Sequence, residues 1–189
     1  MELICKKMTE KAKDIAILEE INNEAFPDDE RVELQRMFQI CEQTNGEVLG
    51  FYEGDVLIGY AMMHENDACA YLNFFAIKKS ERCKGYGQKV LKAIQDRYVS
   101  LQLIIDFEIL DPKAENYEMR KRRKAFYLRC GMQETGYCTK LSDNYFELVC
   151  NHGKLNVQAA GDLMKQVHAK MPELGDRLYH YEQKTGVRL

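Results

Sequence analysis

The segment from Tyr71 to Ile94, "YLNFFAIKKSERCKGYGQKVLKAI", limits the possible folds more than any other part of the chain. Its apolar, aromatic start reads as a strand, a charged stretch follows, and Val90, Leu91 and Ile94 then recur at helical spacing. Gly85 and Gly87 stand where that helix begins, although glycine inside a helix costs about 1 kcal/mol relative to alanine. A strand running through a glycine loop into a helix leaves the first helical N–H groups without partners, and the helix dipole adds about half a positive charge there. Without Cβ atoms in the way, an anion can reach that backbone. Arg82, Lys84 and Lys89 give the junction a basic rim. It matches neither G-x-x-x-x-G-K-[ST] nor the three-glycine dinucleotide fingerprint. The missing Lys-Ser/Thr ending and the lack of a metal-binding acid make an ATP loop a distant option.

Around this junction the chain reads as one α/β domain. A short strand at residues 2–7 precedes a helix capped by Thr9, with Ile15, Ile17, Leu18, Ile21 and Phe26 at helical spacing, and a second helix starts at Pro27. Residues 47–77 read as three antiparallel strands joined by Gly-Asp and Asn-Asp turns. After the central helix come a nearly all-apolar strand, "LQLIIDFEI", and a basic helix from Glu115 to Cys130 that Gly131 stops. A hairpin turning at residues 142–144 closes the pattern. Residues 1–152 form the main domain, and residues 153–189 a helical extension with Val157, Leu163, Met164 and Val167 on one face and a further short helix from Pro172. That extension packs on the same domain or at an oligomer contact, and a homodimer is an open expectation.

The composition excludes several functional classes. A formal charge of −3 over 189 residues gives no overall pull toward nucleic acid or anionic lipid, and no apolar run approaches a membrane span. The first twenty residues carry acids early and lack a long apolar core, unlike a signal or transit peptide. Seven cysteines without a C-x-x-C pair, and four histidines without ligand spacing, point to free thiols in a reducing cytoplasm and to no metal.

Arg82-Cys83-Lys84-Gly85-Tyr86-Gly87 matches R-x-x-G-x-G after a strand and before a helix, and Phe126-Tyr127-x-x-x-Gly131-Met132 closes the next helix. Both motifs, in the order β, α, α, β, β, β, loop, α, β, α, β, β over residues 2–150, resemble the GNAT superfamily of N-acetyltransferases. Met132 replaces the usual phenylalanine, an apolar exchange. The resemblance implies a mixed, mostly antiparallel sheet whose fourth and fifth strands are parallel and splayed. It further implies acetyl-CoA as cosubstrate, with its pantetheine arm along the backbone of Phe75, Ala76 and Ile77. Its pyrophosphate would lie on the N–H groups of Cys83, Lys84, Gly85, Tyr86, Gly87 and Gln88, beside Arg82, and the N–H of Ile77 or Phe75 would polarise the thioester carbonyl.

For the chemistry, a primary amine near its reference pKa of about 10.4 is almost wholly protonated at neutral pH, so a base is useful. Glu108 matches the glutamate many relatives carry at that strand end; the alternative is a solvated carboxylate. Tyr127 matches the family tyrosine that hydrogen-bonds the departing sulfur, and doubles as a packing aromatic. Cys83 is incidental. Relatives often carry asparagine where this chain has Arg120, so that contact is missing or is replaced by Arg122 or Arg123, unless the basic run is simply solvated. The acceptor, a small-molecule or peptide amine, is expected between "NNEAFPDDERVEL" and the hairpin "MMHENDACA", whose acids Glu24, Asp28, Asp29, Glu30, Glu65 and Asp67 favour a cation. A non-catalytic acyl-CoA sensor or interaction module is the alternative, which retention of both Glu108 and Tyr127 disfavours.

Overall fold

The computed structural model describes residues 3–28, 30–141, 144–175 and 177–178. Its elements run β1 (Leu3–Lys7), α1 (Ile15–Ala25), α2 (Leu34–Gln43), β2 (Gly46–Glu53), β3 (Val56–Glu65), β4 (Cys69–Ile77), α3 (Tyr86–Arg97), β5 (Gln102–Glu108), α4 (Tyr117–Arg129), β6 (Gln133–Leu141), β7 (Asn144–Cys150), α5 (Val157–His168) and β8 (Arg177–Leu178). Among the described residues one sheet forms in the order β1-β2-β3-β4-β5-β7-β6-β8. Only the β4–β5 pair is parallel, because α3 carries the chain across between them.

The central strands β2 to β5 and β7 alternate their side chains between two apolar layers. One face packs against α1, α2 and α5 through residues such as Leu18, Met37 and Leu163, with Tyr60, Tyr71 and Ile104 from the sheet. The other receives Val90, Leu91 and Ile94 of α3 and Tyr127 of α4 against Leu72, Leu103 and Ile105. The central strands are covered on both sides, which is why β3 to β5 read as nearly unbroken apolar runs.

Three boundaries differ from the sequence reading. Thr9 does not cap α1: Met8 N–H still pairs with Val48 O at 2.8 Å, so the chain leaves the sheet late and the helix starts at Ile15. Nor does α2 start at Pro27. Asn22, buried in α1, accepts from Tyr60 Oη–H at 2.6 Å and donates to Val32 O at 2.9 Å, pinning residues 27–33 in a non-helical path until Leu34. Pro172 opens only a single 3₁₀ turn, after which β8 pairs with β6. The last part of the expected helical extension, residues 179–189, together with Asp29 and the turn residues 142–143, lies outside the described residues. α5 is part of the main core, burying Ala160, Leu163, Met164 and Val167.

Basic helix α4 ends as its sequence predicts. Gly131 adopts φ 87°, Gly131 N–H bonds Leu128 O and Met132 N–H bonds Tyr127 O, both at 3.1 Å, the paired bonds of a Schellman stop. Buried Met132 then seals the turn.

His64 generates a stability prediction. It is 1% exposed, Nδ1 lies 2.9 Å from Thr44 Oγ1, and burial pushes its pKa down from 6.5 to about 4. The unfolded chain therefore binds the proton first as pH falls below 6.5, and stability declines through the window down to about pH 4, by on the order of 3 kcal/mol from this residue. Urea midpoints of the wild type should drop between pH 6.5 and 4.5 by more than those of His64→Gln; equal drops would contradict the assignment.

Candidate active site

The parallel pairing of β4 with β5 covers only four registers, Cys69↔Gln102 to Leu72↔Ile105. Beyond Leu72 the strands part. In β4 the register against β3 jumps, with Met63 opposite Leu72 and Met62 opposite Phe74, so Asn73 is a bulge residue. β5 runs on, its residues Ile104 to Glu108 held by β7 on the opposite edge. A fork is left, with β4 residues 73–77 on one side and Asp106 to Glu108 on the other.

The backbone of β4 within the fork is polarised by alternation. Lys78 N–H donates to Ile58 O at 2.8 Å, which places the amides of Lys78, Ala76 and Phe74 on the β3 side and those of Phe75 and Ile77 on the fork side. Of the three residues expected to offer backbone groups, Phe75 and Ile77 do so and Ala76 is committed to the sheet. Ile77 O accepts from Arg82 Nε–H at 2.9 Å, which ties the start of the glycine loop to the strand end.

That loop forms a cradle. Cys83 at φ 62° and Gly85 at φ 84° both adopt left-handed conformations, and such turns aim successive N–H groups at one point. None of the backbone N–H groups from Cys83 to Gln88 donates to an acceptor among the described residues. A Cβ on Gly85 would meet no atom within 4 Å, so it would project into the open space before the helix. Gly87 has a different reason: its Cβ would stand 3.3 Å from Phe126, so this glycine lets α4 approach α3. Around the rim Lys84 pairs with Glu81 at 3.0 Å, Tyr86 donates to Glu53, and Lys89 lies over the Tyr86 ring.

Aromatic rings span the α3/α4 side of the fork. Phe75 stacks on Phe126 with centroids 6.5 Å apart, Phe126 meets Tyr127 at 5.2 Å, and Tyr127 stacks on Phe107 of β5 at 5.2 Å. Tyr127 is buried, and its phenol pKa is pushed up to about 12, first by burial, with Arg123 opposing and Asp106 adding to the rise. Its hydroxyl has no hydrogen-bond partner among the described residues, and the phenol stays protonated at neutral pH.

Glu108, expected from the sequence as a general base, has ion-pair partners on both carboxylate oxygens. It is 7% exposed, and its oxygens receive Arg120 Nη2 at 2.7 Å and Arg123 Nη1 at 3.0 Å, with Asn116 Nδ2 at 3.3 Å. The geometry makes Glu108 the anchor of α4. The basic run is split: Lys124 reaches buried Glu147 at 2.9 Å, while Lys121 is exposed. Arg120, Arg123, Lys124 and Tyr127 follow i, i+3, i+4, i+7 spacing, a signal of one inward-facing stripe that sequence reasoning missed. Arg123 is held by Glu108, while Arg122 is exposed.

On the opposite face the fork opens into a cavity of about 130 Å³. Phe26 and Glu30, from the connection between α1 and α2, line it as expected. The β3–β4 hairpin does not: Glu65 ends β3 and Asp67 lies in the turn before β4, roughly 20 Å of strand away from Phe75. Among the described residues no helix is long and apolar enough to cross a membrane.

Comparisons with known proteins agree with this construction. The family model described as the acetyltransferase (GNAT) family matches residues 15–132, more than half of the chain. Among solved structures, a Bacteroides thetaiotaomicron protein assigned to the GNAT family superposes with a TM-score of 0.67 at 24% identity, over 89% of this chain and 96% of that one. An Elizabethkingia anophelis GNAT acetyltransferase with acetyl-CoA bound gives 0.54 at 11% identity, over 79% and 97%. An aminoglycoside 6'-N-acetyltransferase complexed with coenzyme A gives 0.59 at 13% identity, over 81% and 99%. A comparison with curated proteins gives no match. A forked sheet, an N–H cradle and a family match that spans both place this chain in the GNAT family of acetyltransferases.

Proposed function

We infer that the protein moves an acetyl group from acetyl-CoA to a primary amine by direct attack in a ternary complex. The observation that carries this reading is the pair of backbone sites joined by one short connection, the fork-side amides of Phe75 and Ile77 and the N–H cradle of Cys83 to Gln88. An amide-bearing arm finds strand-like partners in the first, and a diphosphate finds donors and a helix dipole in the second. The residues present therefore suit acetyl-CoA, and relatives of this fold have been crystallised with acetyl-CoA or coenzyme A.

The chain's own groups then have distinct tasks. A fork-side N–H, that of Phe75 or Ile77, is placed to polarise a thioester carbonyl. Phe75, Phe126, Tyr127 and Phe107 exclude water from one side of the fork. The Tyr127 phenol, protonated up to about pH 12, can donate to a departing sulfur. Glu108 holds α4, and so Tyr127, through Arg120 and Arg123.

A screen of primary amines with acetyl-CoA, following free thiol release, tests the activity, with desulfo-coenzyme A binding measured in parallel. Amine-dependent release supports transfer. Micromolar binding without turnover on any amine would favour the acyl-CoA sensor.

Three substitutions divide the roles. Gly85→Val puts a branched side chain at φ 84° in the cradle, and calorimetry should show desulfo-coenzyme A affinity reduced at least tenfold with the circular dichroism unchanged. Tyr127→Phe keeps the ring stack and removes a hydroxyl that has no hydrogen-bond partner among the described residues, so the melting temperature should hold. Its kcat should fall by about 10² or less, because a thiol with a reference pKa near 8.5 is already a good leaving group; an unchanged kcat would make Tyr127 a packing residue only. Glu108→Gln should lower the melting temperature and kcat while leaving the pH–rate profile unchanged in shape. A lost acidic limb in that variant would restore the base role.

A further inference from the structure

Two arginines of α4 share the Glu108 carboxylate, and they share it unequally. Arg120 is fully engaged: Nη2 meets Glu108 Oε1 at 2.7 Å, Nε donates to Asn116 Oδ1 at 2.6 Å and Nη1 to Ile109 O at 3.0 Å, and its side chain is 11% exposed. Arg123 makes one such contact, Nη1 to Glu108 Oε2 at 3.0 Å, and its side chain is 37% exposed. A guanidinium presents five N–H donors in a planar fork. The edge of Arg123 formed by Nε and Nη2 therefore keeps its donors without an acceptor among the described residues. Two guanidinium groups against one carboxylate also leave an excess of positive charge at this point.

Arg123 belongs to the open cleft on the α1/α5 face of the fork. Of the residues of α4 it alone lines that cleft, and no other lysine or arginine among the described residues does. Tyr127, one turn further along the helix, sits in the opposite layer against Phe107, and Arg123 is the charge that acts most on its phenol. The guanidinium thus stands close to where a thioester would be cleaved. Other polar groups of the cleft are engaged with one another: Tyr71 Oη–H donates to Asp106 Oδ1 at 2.9 Å, and His168 Nε2 lies 3.1 Å from the same hydroxyl. None of these three is asked to bind the acceptor. Glu30 and Asp106 make the wall acidic and oppose an anion elsewhere in the cleft, which confines an acidic group to the guanidinium.

Building on the transferase reading above, we propose that the acceptor is a primary amine that also carries a carboxylate, and that Arg123 selects it by receiving the carboxylate on its Nε/Nη2 edge. Carboxylate and guanidinium edge are both planar, so two parallel N–H···O bonds fix the orientation of the acceptor as well as its affinity. A lysine in the same place would supply a point charge without that orientation. The contact offsets the charge that Glu108 leaves over, and it keeps the amine end of the acceptor available to turn toward the fork-side amides of Phe75 and Ile77. Arg123 is then a specificity-determining residue with two faces, one on Glu108 and one on the acceptor, which ties acceptor binding to the helix that carries Tyr127.

Calorimetry on the full chain saturated with desulfo-coenzyme A tests this, using glycine, β-alanine, 4-aminobutyrate and 5-aminopentanoate, each beside its carboxamide. The series scans the distance between amine and carboxylate, and within a pair the acidic group is exchanged for a neutral one of the same shape. In the pair that binds best, the acid should bind about tenfold or more tightly than the carboxamide, as a charge-assisted hydrogen bond at a part-exposed site would give. Turnover with acetyl-CoA should show the same preference in kcat/KM. Arg123→Gln should remove the preference, and Arg123→Lys should keep part of it. Loosening α4 would slow acid and carboxamide alike, so the ratio within a pair reports recognition where the absolute rate does not; Arg122→Gln, at an exposed position of the same helix, should leave that ratio intact. Carboxamides that bind as tightly as the acids throughout the series overturn the proposal, as does a preference that survives in Arg123→Gln. A tenfold loss of desulfo-coenzyme A affinity in Arg123→Gln would give the free edge to the cofactor and overturn it as well. Failure of desulfo-coenzyme A to bind the wild type would sink the transferase reading itself and this inference with it, whereas bound desulfo-coenzyme A with none of the acids bound would sink this inference alone.

Discussion

Everything about this site depends on where the parallel pairing of β4 and β5 stops. Four registers hold the two strands together, and after Leu72 and Ile105 each takes a different course. The bulge at Asn73 bends β4 away, while β5 stays paired on its other edge with β7 as far as Glu108. An open sheet edge inside a protein is costly unless something covers it, because its N–H and C=O groups lose water without gaining partners. Here the fork is roofed on one side by the rings of Phe75, Phe126, Tyr127 and Phe107 and opens on the other into the α5-lined cavity. The fork-side amides of Phe75 and Ile77 thus lie between a water-excluding wall and an open cavity.

Charge pairs hold the roof in position. Helix α4 has few apolar residues, and only Tyr127 is buried among its thirteen. Arg120 and Arg123 on Glu108, and Lys124 on Glu147, tie it to β5 and β7 at three points in one stripe. Such partly buried pairs add little net stability compared with apolar packing, but removing one partner is costly, so they fix orientation more than they strengthen the fold. Gly87 completes the arrangement by letting Phe126 pack close to α3.

Elements set by local chemistry were legible in the sequence. Gly131 stops α4 because a left-handed residue is needed there, and the strand–glycine loop–helix junction reads directly from Tyr71 to Ile94. What was hidden depends on contacts between distant residues. Glu108 looks the same in the sequence whether it faces water or two arginines fifteen positions or fewer away, and the αL backbone of Cys83 has no residue-type signature. Gly87 reads as a phosphate glycine until Phe126 is found against it, and nothing around His168 points to Tyr71, ninety-seven residues earlier. The hairpin at Glu65 and Asp67 was placed at the wrong end of β4 because adjacency to a strand does not say which of its ends faces the site.

Amide hydrogen exchange resolved at residues 75, 76 and 77, with and without saturating desulfo-coenzyme A, tests the central claim most directly. The unliganded protein should already protect the amide of Ala76, which bonds β3, while those of Phe75 and Ile77 exchange freely. On adding the ligand, Phe75 and Ile77 should gain protection and Ala76 should not change. Saturated binding that leaves Phe75 and Ile77 as exposed as before would show that the arm does not lie in the fork, and the account would fail at its starting point.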